Sequence, residues 1–126
     1  MDANSNSLNW FEIPVTDLPR SKAFYETVFD ISMGDMEMEG MQSAMFPWSP
    51  GTGKANGSLT KSEMHTPSME GTVVYLNADP NMDPVLERVE AAGGKVLMPK
   101  TPIGEHGFMA FIQGTEGNKV GIHSNG

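Results

Sequence analysis

Apolar and polar positions alternate along LNWFEIPV near the start of the chain. Phe11, Ile13 and Val15 fall on one face of this stretch, whereas Trp10 and Glu12 fall on the other. A period of two residues is typical of a β-strand with one buried face. The chain is therefore predicted to begin with a strand whose buried face starts at Phe11.

A helix is predicted directly after this strand. Asp17 is suited to cap it, and Pro19 is tolerated in its first turn. In RSKAFYETVFD, the residues Ala23, Phe24 and Val28 recur at helical spacing. This stripe can lie on a sheet built from the neighbouring strands.

Three short strands follow the predicted helix, at about 31–38, 41–47 and 57–61. Gly34, Gly40 and the glycine-rich SPGTGKANG separate them. The next stretch, TKSEMHTPSMEG, is polar and contains a proline, which is typical of a linker.

The same order of elements then repeats. GTVVYLNAD predicts a strand with Val73 and Tyr75 on its buried face, and Asp79 is expected to start a helix that ends at Gly93 and Gly94. GKVLMPK, EHGFMAFIQG and NKVGIHS supply three further strands. The second half thus repeats the first.

An offset of 62 residues, from Asp17 to Asp79, aligns the two halves. It pairs Phe11 with Val73 and Ile13 with Tyr75, so the predicted core faces coincide. We therefore predict an α+β fold made of a tandem βαβββ repeat in a single domain, residues 1–126. The first unit covers about 8–61, a linker covers about 62–70, and the second unit covers about 71–124.

Charge and composition exclude several classes of partner. Sixteen acidic and eight basic side chains give a formal net charge of −8, which repels phosphate backbones and anionic lipid. Nucleic acid and membranes are therefore not expected as partners. The opening MDANSNSLNW lacks the pattern of a secretion signal, and no apolar run approaches the length of a membrane span. We expect a cytoplasmic protein.

Methionine is concentrated in one segment. Five of the eleven methionines lie between residues 33 and 45: Met33, Met36, Met38, Met41 and Met45. Flexible and polarizable side chains suit either an irregular core or an adaptable apolar pocket. The sequence leaves both interpretations open.

Three motifs carry a resemblance to a known family. They are IPVTDLPRSKAFYETVF in the first unit, the AAGG helix end, and GTEGNKVGIHS at the close of the second unit. With them the chain resembles the glyoxalase, bleomycin-resistance and extradiol-dioxygenase superfamily from about residue 8 to 124. Within it, the chain is most similar to small proteins related to lactoylglutathione lyase. This resemblance implies two curved mixed sheets around a cup, and a homodimer.

The resemblance also implies where the metal-dependent members of the family place their ligands. The corresponding positions carry Trp10, Thr72 and Gly121, and the fourth strand of the first unit offers Ser58, Leu59 and Thr60. An indole, a hydroxyl and a glycine cannot replace the imidazole or carboxylate that a divalent cation needs. We therefore expect no metal and no other cofactor.

Glu12 and His123 are the candidate catalytic residues. If Trp10 and Gly121 face the cup, Glu12 and His123 face it as well, because each lies two residues further along its strand. The pair could act as a general base and its orienting partner. Alternatively, His123 is solvated near the C-terminus, and Glu12 caps a backbone group or pairs with Lys119. His65 in the linker is expected to be solvated, and His106 to lie in an exposed loop.

Five residues are candidates for a ligand-binding surface: Trp10, Met45, Trp48, Thr72 and Phe111. The apolar members among them could equally be ordinary core. Two functions follow as hypotheses. The first is a metal-independent module that binds a small, partly apolar molecule in the cup. The second is a lyase or isomerase related to lactoylglutathione lyase that uses Glu12 as general base.

Overall fold

The structure is a computed structural model that describes all 126 residues. Its first unit consists of one strand, one helix and three further strands, as predicted. In chain order these are β1 (Trp10–Pro14), α1 (Leu18–Phe29), β2 (Gly34–Met38), β3 (Met41–Met45) and β4 (Asn56–Lys61).

The second unit repeats this order. Its elements are β5 (Tyr75–Asn77), α2 (Asp83–Val89), β6 (Lys95–Pro102), β7 (Phe108–Gln113) and β8 (Lys119–Ser124), with a short 3-10 turn at Gly104–His106. No helix or strand lies between Lys61 and Tyr75. The predicted tandem βαβββ architecture and the α+β class are therefore confirmed.

Each unit forms a mixed four-stranded sheet. The strand orders are β1-β4-β3-β2 and β5-β8-β7-β6. In each sheet the first strand is parallel to its neighbour, β1 to β4 and β5 to β8, and all other pairs are antiparallel. The first strand of each unit is thus one edge of its sheet.

Helix α1 begins and ends as its sequence requires. The Asp17 carboxylate accepts a hydrogen bond from the Arg20 N–H at 3.1 Å, which is the predicted N-cap. The helix ends at Asp30, which adopts a left-handed conformation with φ of 54°. Its buried face carries Tyr25 in addition to Phe24 and Val28. The prediction that Ala23 belongs to this face is wrong, because Ala23 is exposed.

Helix α2 begins later than predicted. It starts at Asp83, so Asp79 does not initiate it. The Asp79 carboxylate instead accepts a hydrogen bond from the backbone N–H of Asn125 at 2.7 Å. The predicted glycine end is present, since Gly93 has a φ of 102° and the Gly94 N–H donates to the Val89 carbonyl at 2.9 Å.

Strand β5, the first of the second unit, has a different buried face from the one predicted. Leu76 and Ala78 are buried in the core, whereas Tyr75 is 48% exposed. In the first unit Glu12 pairs with Ser58, and in the second Tyr75 pairs with Gly121. Equivalent residues of these strands are therefore 63 positions apart. The predicted offset of 62 was one residue short, and that error turned every side chain of β5 to the wrong face.

The two units share one hydrophobic core. Its members on α1 include Phe24, whose ring crosses into the second unit; a Cβ added at Gly94 would lie 2.5 Å from that ring. The Arg88 Nε on α2 donates to the Val28 carbonyl on α1 at 3.0 Å. The units are therefore packed through their helices.

Glu116, in the β7–β8 turn, joins the second unit to the start of α1. One carboxylate oxygen accepts hydrogen bonds from the backbone N–H of Asp17 at 2.8 Å and from the backbone and hydroxyl of Thr16 at 3.0 and 2.9 Å. The other oxygen accepts from Arg20 Nη2 at 2.8 Å and Nε at 2.9 Å. Burial alone would raise the pKa of Glu116, but these donors outweigh it and lower the pKa to about 2.

Neither helix has the length and hydropathy that a membrane-spanning helix needs.

Candidate functional site

Each sheet has one face covered by the helices and one face without them, which we call its open face. Glu12 and Ser58 are neighbours on the open face of the first unit. Tyr75 and Gly121 are neighbours on the open face of the second. Of the residues that resemblance to the family places in the cup, Trp10, Glu12, Gly121 and His123 lie on these two faces.

Gly121 is a glycine because the Tyr75 ring lies over it. A Cβ at position 121 would lie 2.5 Å from Tyr75 Cδ1 and 2.8 Å from Cγ, which is closer than real carbon atoms approach. The space that a longer side chain at 121 would need is therefore filled by the tyrosine. Gly121 and Tyr75 form one packed unit.

The Tyr75 ring continues into an apolar surface. Its centroid lies 5.8 Å from that of Phe111, with the rings tilted by 48°, and Lys119 Nζ lies 5.4 Å from the Phe111 centroid. Tyr75 is half exposed and Phe111 is half-buried. We call these three residues the aromatic platform. Such a surface can stack against a ring, and the ammonium group beside it can pair with a negative charge.

Hydrogen bonds to His65 and Trp10 hold the Glu12 carboxylate, and neither was predicted from the sequence. Its Oε1 lies 2.7 Å from His65 Nε2, and its Oε2 accepts from Trp10 Nε1 at 3.4 Å. On the far side of the imidazole, His65 Nδ1 lies 2.6 Å from Ser62 Oγ. The prediction that His65 is solvated is wrong, since only 16% of its side chain is exposed.

His123 lies elsewhere on the open face of the second unit. Its Nε2 donates to the His106 carbonyl at 2.7 Å, so the ring is tied to the turn before β7. The expected pairing of Glu12 with His123 is therefore absent, as is the alternative pairing of Glu12 with Lys119. The structure brings Glu12 together with His65 instead.

Three hydroxyl groups form the floor of the first unit's open face. Ser43 Oγ lies 3.1 Å from Thr60 Oγ1, which lies 2.7 Å from Ser58 Oγ. All three side chains are buried and satisfy one another's hydrogen bonds. The floor of the first unit's open face is thus polar, in contrast to the aromatic platform of the second.

The methionines divide between the two predicted roles. Met33 is buried in the core. Met36, Met41 and Met45 are half-buried and Met38 is exposed. By strand register, these four share the face of Ser43 and Ser58, and not that of the core residue Ala44. Four of the five therefore belong to the open face.

Two of the predicted ligand-binding residues lie outside the strands that form the open faces. Trp48 is in the β3–β4 loop, 45% exposed, and its Nε1 donates to the Lys54 carbonyl at 2.9 Å. Thr72 precedes β5 and lines a groove of about 240 Å³ between the units, together with Glu12. Trp10, Met45 and Phe111 are on the open faces.

The family's metal does not fit these residues. With the corrected offset of 63, the position equivalent to Trp10 is Val73 and not Thr72, and the position equivalent to Gly121 is Ser58. Indole, isopropyl, hydroxyl and hydrogen provide no ligand set for a divalent cation. No group of three His, Asp or Glu side chains in the structure is arranged to hold a metal ion. The Tyr75 ring also fills the space beside Gly121.

The fold, with one open face on each of its two sheets, defines the class of tandem βαβββ proteins. Residues 7–122 match the model of the Glyoxalase/Bleomycin resistance protein/Dioxygenase superfamily. The chain belongs to this superfamily, as its motifs indicated.

Two curated relatives share 28% identity with 90% of the chain. Both carry the name "Putative glyoxylase CFP32", one from Mycobacterium bovis and one from Mycobacterium tuberculosis. The chain spans only 44% of their length. The similarity therefore concerns part of each relative.

Solved structures support the fold. Glyoxalase I from Zea mays superposes with a TM-score of 0.66 at 20% identity, covering 92% of this chain and 45% of that one. A glyoxylase/bleomycin resistance protein/dioxygenase domain from Frankia sp. EAN1pec gives a TM-score of 0.69 at 14% identity and covers 98% of both chains. At these identities the likeness shows the fold alone.

Proposed function

We propose that this glyoxalase-like protein binds a small, partly apolar molecule at its open faces without a metal ion. The observation that carries the proposal is the Tyr75 ring over Gly121. An aromatic surface occupies the position where a metal ligand of the family would project. The aromatic platform of the second unit and the methionines of the first supply adaptable apolar contact area.

We further propose that a second copy of the chain completes the site, so that the functional form is a homodimer. None of the five main cavities of the monomer has Trp10, Tyr75 or Phe111 in its lining. Large apolar side chains remain uncovered on the open faces, with Trp10 38%, Met38 58% and Tyr75 48% exposed. A molecule bound to one open face would be covered on its other side by the partner. The cytoplasmic location stays a prediction.

Thermal-shift screening with metabolites and antibiotics tests the binding proposal. A compound that raises the melting temperature of the parent protein is expected to bind Tyr75→Ala about tenfold more weakly, because the platform loses its exposed ring. Trp48→Ala is the matched control, since it removes an exposed aromatic side chain outside the open faces. The proposal fails if no compound shifts the melting temperature, or if both variants lose the same affinity.

A second function is favoured by the hydrogen bond between His65 and Glu12. A carboxylate oriented by an imidazole can act as a general base in a lyase or isomerase reaction. The substrate class would be the one that the resemblance to lactoylglutathione lyase implies, such as the hemithioacetal of methylglyoxal and glutathione. On this hypothesis Glu12 would take the proton next to the carbonyl carbon.

Substitution of Glu12 decides this second hypothesis. If the parent protein turns over the hemithioacetal, Glu12→Gln is expected to lower kcat by about 100-fold or more, because the amide cannot accept the proton. The matched control is Glu63→Gln, which alters an exposed carboxylate in the linker that carries His65. A Glu12→Gln protein as active as the parent would exclude Glu12 as the base.

A further inference from the structure

A second cavity lies where the two units meet on the helix side, away from both open faces. Its volume is about 530 Å³. The first unit contributes Phe11, Phe29 and Phe46 to its lining, and the second contributes Leu76 and Val85. Both its size and its mainly apolar lining are typical of pockets that bind small molecules.

The buried side chains of the two helices account for this cavity. Ser21, Phe24 and Val28 are buried on α1, and Met82, Val85 and Val89 are buried with the same spacing at the N-cap and along α2. Phe24 and Val85 are the middle members of these two sets. The Phe24 ring fills the junction between α1 and the second unit, since Cβ atoms added at Gly94 and Gly114 would lie 2.5 and 3.6 Å from it. At the other junction the shorter Val85 side chain leaves the space open.

The two junctions also differ in their polar contacts. Glu116 closes the junction beside Phe24 with hydrogen bonds to Thr16, Asp17 and Arg20. No such carboxylate bridges the units across the junction beside Val85. The open junction is thus a specific feature of one half of the repeat, and the fold does not require it.

Arg88 supplies a cation to this cavity. Its Nε donates to the Val28 carbonyl at 3.0 Å, and its side chain is half-buried. No carboxylate lies within ion-pair distance of the guanidinium, although the chain has a formal net charge of −8. The terminal N–H groups of Arg88 are consequently available to an anion in a partly desolvated place.

Asp79 lines the same cavity and limits the charge that it can accept. Its carboxylate is engaged by Asn125, through the backbone N–H at 2.7 Å and the side-chain amide at 3.1 Å from each oxygen. The negative charge of Asp79 still opposes a second anionic group in the pocket. The cavity therefore favours a ligand with a single negative charge, which Arg88 would bind.

We propose that this junction cavity binds a small apolar monoanion, an aromatic or branched carboxylate whose ring or chain packs among Phe11, Phe46 and Val85. Arg88 holds its carboxylate. The site is separate from the open faces, and the two can be tested independently.

Naphthalene-2-carboxylate and its neutral carboxamide are suitable probes for calorimetry and NMR titration of the intact chain. The carboxylate is expected to bind and to shift the amide signals of Leu76, Ala78 and Val85. Val85→Phe, which introduces a ring of the size of Phe24, is expected to weaken the binding of both probes at least about tenfold by filling the space. Arg88→Met is expected to weaken the binding of the carboxylate by about tenfold and to leave the binding of the carboxamide unchanged.

Tyr75→Ala is the control on the open face and should bind the carboxylate as the parent does. Binding by the parent with signal shifts confined to the open faces would overturn the proposal, as would no binding at about millimolar concentrations of probe. Equal affinity of Val85→Phe and the parent would also overturn it. If Val85→Phe does not fold, Arg88→Met and the NMR mapping still decide, because neither depends on filling the core.

Discussion

Glu116→Gln is expected to lower the free energy of unfolding at pH 7 by about 3 kcal/mol. Folding lowers the pKa of this carboxyl from 4.5 to about 2, and only 2% of its side chain is exposed. The amide would keep one acceptor oxygen, but its NH₂ group would face the donors of Arg20 or of Thr16 and Asp17. Urea unfolding monitored by circular dichroism measures the change.

The same pKa difference predicts the pH dependence. Because the folded pKa is depressed, the carboxylate stabilises the native state fully above the unfolded pKa, and this contribution is lost as pH falls from about 4.5 to about 2. The stability difference between the parent and Glu116→Gln should shrink over that window. Glu39→Gln, on an exposed turn, is the control and should change stability by less than about 0.5 kcal/mol. A difference that stays constant down to pH 2 would contradict the role of the ionised carboxylate.

Local patterns predicted most of the fold correctly. The alternation around Ile13 and the Asp17 cap depend on residues close together in the chain, and both are present in the structure. The prediction for the second half was less accurate because the turn between β5 and α2 is longer than the turn between β1 and α1. Equivalent residues are 63 positions apart in the strands, as from Glu12 to Tyr75, whereas the first residues of the two helices, Leu18 and Asp83, are 65 apart. An offset counted from one aspartate in the turn matches neither.

The candidate site was harder to predict because its contacts join distant parts of the chain. Glu12 and His65 are 53 residues apart, and Thr16 and Glu116 are 100 apart. Nothing in the polar linker marks His65 as the partner of a strand residue, and Glu116 lies in a turn typical of exposed loops. By contrast, resemblance to the family already implied a vacant ligand position at Gly121 from the motif around it. The sequence could not show that Tyr75 occupies the space beside it.

Gly121→Ala is expected to destabilise the protein by about 2 kcal/mol, which is large for adding a single methyl group. The new Cβ would lie 2.5 Å from Tyr75 Cδ1, so the ring would have to leave both Gly121 and Phe111 or the strands would have to separate. Gly34→Ala is a matched control in another strand, since a Cβ at Gly34 meets no atom within 4 Å. It is expected to be neutral or slightly stabilising.

A double-mutant cycle with Tyr75→Ala separates this clash from any general effect of losing a glycine. If the ring causes the cost, Gly121→Ala should be nearly neutral in the Tyr75→Ala background, with a coupling free energy of about 1–2 kcal/mol. Additive effects of the two substitutions would mean that Gly121 is needed for its backbone and not for the tyrosine. The coupling matters for function because the same packing holds the aromatic platform in place. A Gly121→Ala protein should therefore also lose affinity for any compound that Tyr75→Ala fails to bind.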